Sequence, residues 1–145
     1  MFPTVADRLH VTDATLSHIP AGSQPFDLVT SVQTLYYLSE HDCTRVLDAL
    51  RQSSRPRGIV YVTWMGSVGH YWDASTVGLD GMRHVTYTDN RIKVDEHIRF
   101  AESRDHLEHM LPMIEVLECG RYLQSFRSRD FGNESFHYAL TGRWR

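Results

Sequence analysis

Two apolar runs separated by one helical pattern constrain this chain more than any other feature. Residues 26–29 read Phe-Asp-Leu-Val, and residues 59–62 read Ile-Val-Tyr-Val. Between the runs, four apolar residues recur at the spacing of a single helix face: Cys43, Val46, Leu47 and Leu50. Apolar runs linked through a helix are typical of a parallel sheet that is covered by helices.

Helix-capping and helix-breaking residues set the predicted boundaries of this unit. We predict a strand at 26–32 and a helix that begins after Ser39, a residue type that caps helix N-termini. Pro56 and Gly58 are predicted to stop the helix, and a second strand is predicted at 59–64. A strand, helix and strand of this length form a right-handed parallel crossover.

The remaining elements are predicted on either side of this unit. A short strand at 8–12 ends at Asp13, and a helix at 103–113 is ended by Pro112. Five further segments complete the prediction: a hairpin of 84–88 with 91–100, a strand at 114–126 bent at Gly120, a polar turn at 127–134, and a final strand at 135–144. The predicted fold is therefore α/β, with parallel strands closed by a C-terminal antiparallel hairpin and helices on the faces of the sheet.

Composition limits the class of protein. The 145 residues suit a single domain spanning 1–145, with 41% hydrophobic and 23% charged residues. A formal net charge of −3 gives no reason to expect nucleic acid as a partner, and no apolar run is long enough to span a membrane. Cys43 and Cys119 lack metal-like spacing and are predicted to be reduced thiols. We therefore expect a soluble, cytoplasmic protein.

The segment from residue 8 to residue 63 resembles the second half of the nucleotide-binding fold of class I S-adenosylmethionine-dependent methyltransferases. Asp13 and Ala14 match the positions that contact adenine in that family. The resemblance implies that the Asp13 carboxylate accepts from the adenine amino group and that Ala14 offers its backbone amide. It also implies that Ser31 and Val32 line the methionine end of the cofactor. From the residues alone, Asp13 also fits a turn cap, and Val32 fits core packing as well as it fits a cofactor contact.

The same resemblance limits the chemical class of the methyl acceptor that we expect. Family members that methylate bases or glutamine amides carry an Asn- or Asp-Pro-Pro-aromatic tetrad after this strand, whereas residues 32–35 here read Val-Gln-Thr-Leu. This departure favours a small-molecule acceptor. The resemblance makes Tyr36, Tyr71 and His84 candidates for contact with the substrate, although each also fits simple packing. Because a sulfonium is already an activated methyl donor, the reaction does not require a catalytic base, and we assign none.

A larger departure from the family pattern concerns the residues that bind the cofactor. The family places a Gly-rich turn upstream of the adenine-binding Asp, but only twelve residues precede Asp13 and the chain contains no Gly-x-Gly. Two strands of the family sheet are then missing, and strand 26–32 is expected to have an exposed edge. The sequence therefore leaves two hypotheses open. One is a methyltransferase; the other is a truncated, non-catalytic domain that acts through self-association or a partner chain at that edge.

One histidine pattern has metal-like spacing. Glu102, His106 and His109 fall on one face of the helix predicted at 103–113. Polar residues at this spacing more often form a solvated helix face, and we predict no metal site.

Overall fold

A computed structural model of the chain describes residues 25–88, 93–125 and 134–145. These residues form two sheets, with strand orders β1-β2-β7-β6 and β3-β4-β5. The strands are β1 (Phe26–Ser31), β2 (Ser54–Gly69), β3 (Ser75–Val77), β4 (Arg83–Thr88), β5 (Lys93–Ile98), β6 (Ile114–Ser125) and β7 (Glu134–Trp144). The helices are α1 (Glu40–Gln52), α2 (His70–Asp73) and α3 (Arg104–Met110), with a 3-10 turn at Leu35–Tyr37.

The central strand, helix and strand unit is confirmed. β1 and β2 pair in parallel, with Val29 opposite Val60, and α1 connects them. Ser39 caps α1, since its side chain accepts a hydrogen bond from the Asp42 N–H at 3.1 Å. Of the predicted helix stripe, Cys43, Val46 and Leu47 are buried and Leu50 packs at the margin of the core.

The predicted bounds of β2 are wrong. The strand begins at Ser54, before Pro56, and continues to Gly69. Pro56 lies in the exposed beginning of the strand, where a missing N–H costs little. At the other end, the antiparallel partner β7 extends the ladder beyond Trp64, because it pairs with β2 as far as Gly69.

The C-terminal hairpin is confirmed, but the predicted bend in its first strand is not. β6 and β7 pair in antiparallel register from Ile114 opposite Trp144 to Ser125 opposite Glu134. Gly120 pairs regularly with Ala139, and the register shifts instead between Val116 and Glu118. A bulge of this kind inserts an extra residue into one strand without needing a glycine. The turn predicted at 127–134 falls largely outside the described residues.

The second sheet contains the hairpin predicted in the middle of the chain. β4 and β5 pair in antiparallel register, and β3 adds a third strand that the sequence analysis did not predict. The turn from β3 into β4 has the left-handed residues Asp80 (φ 55°) and Gly81 (φ 72°), with the Met82 N–H bonded to the Leu79 carbonyl. Asp-Gly at these two positions is a favoured sequence for a tight hairpin turn.

Most of the core lies against one face of the four-stranded sheet, although Met65 is buried on the other face. Val60, Val62 and Trp64 of β2 are buried on the first face, while the neighbouring Ile59 is 40% exposed on the opposite face. Among the described residues, β1 pairs with β2 alone, and its Leu28 is 56% exposed beside Ile59. The predicted strand at 8–12, together with Asp13 and Ala14, lies outside the described residues. No helix in the described ranges is long and apolar enough to cross a membrane.

Candidate functional site

The chain turns sharply where β1 ends, beside Val62 in the middle of the parallel strand β2. Ser31 is half-buried and Val32 is 55% exposed at this point. Gln33 then adopts a left-handed conformation with φ of 54°. Ligands of open α/β sheets bind beyond the carboxyl ends of parallel strands, so this turn occupies the expected position for a site.

Hydrogen bonds to two other strands hold the turn. The Gln33 backbone N–H donates to Thr63 Oγ1 of β2 at 2.8 Å, and the Gln33 side-chain amide donates to Gln124 Oε1 of β6. A left-handed backbone is unfavourable for a residue with a side chain, and such strain concentrates at functional sites. These bonds compensate for it and fix the direction in which the chain leaves β1.

Tyr36 lies directly after this turn and is almost fully buried. Its carbonyl accepts from the Arg99 N–H at 2.8 Å, which ties the 3-10 turn to the segment after β5. Its ring lies 4.6 Å from that of Tyr37 and 6.2 Å from that of His137. Burial, followed by the Tyr37 phenol, raises the pKa of Tyr36 well above its usual range, so the hydroxyl remains a donor throughout the ordinary pH range.

His137 of β7 lies beside the Tyr36 ring, and the sequence analysis did not single it out. It is 1% exposed and stacks on Tyr122 of β6 with the ring centres 5.1 Å apart. Its Nε2 lies 2.8 Å from Ser135 Oγ, and its buried Nδ1 has no partner among the described residues. Burial lowers the pKa of His137 to about 4, so the ring is neutral near pH 7.

Of the predicted substrate residues, the structure places Tyr36 and Tyr71 in one neighbourhood. Burial raises the pKa of Tyr71, with smaller contributions from Tyr37 and Tyr87, and the Tyr71 phenol contributes in turn to the raised pKa of Tyr36. Together with Tyr122 and His137, these residues form an aromatic cluster at the end of β1, which we call the tyrosine cluster: Tyr36, Tyr37, Tyr71, Tyr122 and His137.

His84 has a different setting, in the three-stranded sheet. Its Nε2 lies 2.7 Å from Asp95 Oδ1, and its ring stacks on that of His97 with centres 4.7 Å apart. The hydrogen bond from His84 lowers the pKa of Asp95. No contact between His84 and the tyrosine cluster is seen in the described ranges.

The two histidines of the metal-like pattern, both on α3, form hydrogen bonds with nearby backbone groups. His106 Nδ1 accepts from the Glu102 N–H at 3.2 Å, and His109 Nδ1 lies 2.6 Å from the Asp105 carbonyl. Within the described part of the chain, no three His, Cys, Asp or Glu side chains are grouped to hold a metal ion.

A large open groove follows the solvent face of α1, away from the predicted site residues. Its volume is about 800 Å³, and eight residues line it: Ser39, Glu40, His41, Thr44, Arg45, Asp48, Asp80 and Met113. None of the predicted cofactor or substrate residues lines it. Its size therefore gives no reason to move the candidate site from the end of β1.

No protein-family model and no curated protein matches the chain. Solved structures do match. A methyltransferase from Methanosarcina mazei is 14% identical, with a TM-score of 0.66 over 93% of this chain and 66% of that protein. The CcbJ methyltransferase from Streptomyces caelestis is 16% identical, with a TM-score of 0.55 over 88% of this chain and 64% of that protein.

A third match, an S-adenosylmethionine-dependent methyltransferase from Clostridium acetobutylicum, is 10% identical, with a TM-score of 0.55 over 93% of this chain and 63% of that protein. The chain thus spans just under two thirds of the length of these three proteins. Similarity at such low identity concerns the fold alone: this chain has the α/β fold of class I S-adenosylmethionine-dependent methyltransferases.

Proposed function

We propose that this chain takes part in S-adenosylmethionine-dependent methyl transfer to a small-molecule acceptor. The observation that carries the proposal is the sheet order β1-β2-β7-β6, with one parallel pair and a closing antiparallel hairpin, in a chain that superposes over 93% of its length on a methyltransferase. The acceptor class rests on the sequence after β1, which lacks the Pro-Pro tetrad of base and glutamine methyltransferases.

The side chains at the end of β1 fit a sulfonium-bearing cofactor. When bound, such a cofactor supplies a methyl group that is already activated for transfer. Tyr36 stays protonated and His137 stays neutral near pH 7, so neither ring adds a positive charge that would repel a sulfonium. Aromatic faces attract cations, which makes the tyrosine cluster a favourable neighbour for one.

In this proposal each predicted residue has a role in binding or orientation. Ser31 and Val32 hold the methionine end, and Asp13 and Ala14 hold the adenine. Tyr36 and Tyr71 orient the acceptor so that its lone pair faces the methyl group, and His84 contacts the acceptor from the second sheet. Orientation and exclusion of water supply the rate enhancement, without a catalytic base.

Binding of S-adenosylhomocysteine tests this proposal through a matched pair of variants. Val32→Arg introduces a cation at an exposed position beside the proposed methionine end, whereas Val77→Arg introduces the same cation at a position that is 84% exposed in β3. We expect isothermal titration calorimetry to show binding by the wild type and by Val77→Arg. Val32→Arg should bind at least about tenfold more weakly. Equal binding by both variants, or no binding by the folded wild-type chain, would contradict the proposal.

The second candidate function is a non-catalytic role through association with another chain. The observation that favours it is a pair of neighbouring exposed apolar side chains, Leu28 on β1 and Ile59 on β2, at the margin of the sheet. Sedimentation velocity tests it. If the edge mediates self-association, Leu28→Lys should shift the protein toward monomer. Leu79→Lys, at a position that is 83% exposed in the β3–β4 turn, should leave the distribution unchanged. If the wild-type chain stays monomeric at all concentrations, self-association is excluded as the mechanism.

A further inference from the structure

A second cavity lies on the sheet face opposite His137, between the beginning of α3 and the strands β6 and β7. Its volume is about 350 Å³, and six residues line it: Glu102, Ser103, Arg104, Cys119, Arg121 and Tyr138. Tyr138 follows His137 directly on β7, so the two side chains point to opposite faces of the sheet. The cavity is therefore separate from the tyrosine cluster.

The hydroxyl of Tyr138 is the first indication that this cavity receives a ligand. The side chain is 8% exposed and is held by an edge-to-face contact with Phe136, with ring centres 5.0 Å apart. Its Oη forms no hydrogen bond within the described part of the chain, although the residue lines the cavity. Since Oη is not one of the buried, unpartnered side-chain atoms of the described residues, it is accessible from the cavity and can form a hydrogen bond with a polar ligand atom there.

The charges around the cavity are the second indication. Arg104 is neutralised by Glu108, with 2.7 Å between Arg104 Nε and Glu108 Oε1. Arg121 and Glu102, in contrast, form no ion pair with each other or with any other described residue. Burial raises the pKa of Tyr138 whereas Arg121 lowers it, so the guanidinium charge reaches the Tyr138 hydroxyl. One cavity thus presents an unneutralised cation and an unneutralised anion.

We propose that this cavity binds a small zwitterion of the α-amino acid type. Arg121 and Tyr138 Oη bind its carboxylate, and the carboxylate of Glu102 binds its ammonium group. Glu102 would repel a simple anion and Arg121 would repel a simple cation, so a ligand that carries both charges is favoured. A cavity near the lower end of the range for small-molecule sites, which begins at roughly 300 Å³, suits a single amino acid.

Three matched ligands test the contact with the carboxylate and the contact with the ammonium group separately. L-Leucine carries both charged groups, 4-methylpentanoate lacks the amine, and isoamylamine lacks the carboxylate. Titrations of the isotopically labelled 145-residue chain should show leucine-dependent amide shifts at Cys119, Arg121 and Tyr138. Each single-charge analogue should bind at least about tenfold more weakly than leucine.

Matched variants test the same assignment from the protein side. Arg121→Gln and Glu102→Gln alter exposed side chains and should keep the fold, while each weakens leucine binding about tenfold. Arg55→Gln, at an exposed position in β2 that is paired with Asp27, should bind leucine as the wild type does. The proposal would be overturned if leucine caused no amide shifts at the cavity, or if neither cavity variant weakened leucine binding. It would also be overturned if either analogue bound as tightly as leucine.

Discussion

At the scale of single residues, His137 shows how burial decides the charge of a side chain. Its ring stacks on Tyr122 and lies near Tyr36, and burial lowers its pKa to about 4 from an ordinary value near 6.5. Between these two values, the unfolded chain binds a proton at this residue and the folded chain does not. The free energy of unfolding should therefore fall as the pH is lowered through this window.

We expect His137 to reduce the free energy of unfolding by about 2 kcal/mol between pH 7 and pH 5, by the linkage between proton binding and stability. Urea unfolding at the two pH values measures this loss. His137→Gln cannot titrate, so its pH dependence should be smaller by that amount, while the other histidines contribute equally to both proteins. Identical slopes for the two proteins would show that the His137 ring is solvated.

At the scale of an element, the β3–β4 hairpin depends on the conformation of its turn. Gly81 has φ of 72°, and a Cβ added at this position would meet no atom within 4 Å. Any cost of Gly81→Ala therefore arises from backbone strain, because a left-handed conformation is unfavourable for alanine.

We expect Gly81→Ala to lower the free energy of unfolding by about 1 kcal/mol, as strain of this kind typically does. Urea unfolding would measure the change. Asp80→Asn is the control, since Asn tolerates the left-handed conformation that Asp80 adopts and should leave the stability nearly unchanged. A neutral Gly81→Ala variant would mean that the turn has a different backbone in solution.

At the scale of the whole molecule, the segment from Arg99 to Ala101 joins the two sheets at the candidate site. The Arg99 N–H donates to the Tyr36 carbonyl, the Ala101 N–H donates to the Met65 carbonyl at 2.9 Å, and the buried Trp64 indole donates to the Arg99 carbonyl at 2.7 Å. These bonds connect β2, the 3-10 turn and the end of β5, which are far apart in sequence.

We expect Trp64→Phe to lower the free energy of unfolding by about 1–3 kcal/mol, because the buried Arg99 carbonyl loses its indole donor. Hydrogen exchange should accelerate at the Arg99 and Ala101 amides more than in the β6–β7 ladder. Tyr61→Phe, a change at a half-exposed side chain of the same strand, should alter neither quantity appreciably. Uniform acceleration across both sheets would indicate that this segment is not a local link.

Local patterns were sufficient to predict several elements. The apolar stripe of α1, its Ser39 cap and the alternation in β4, β5 and β7 depend on neighbouring residues, and these elements are found where the sequence predicted them. The Asp80–Gly81 turn carried a comparable local signal that the sequence analysis did not use. The length of β2 and the bulge at Leu117 could not be predicted, because both depend on pairing with the distant strand β7.

The sequence by itself determined the α/β pattern of the described residues and the order of their main elements. These properties follow from residue periodicity and from residues close together in the chain. Tertiary structure alone decided that Tyr36 and Tyr71 share one neighbourhood, that His84 pairs with Asp95 and that His137 is buried and neutral. These outcomes depend on contacts between distant segments and on the exclusion of water by those contacts. Neither can be predicted from a local sequence pattern.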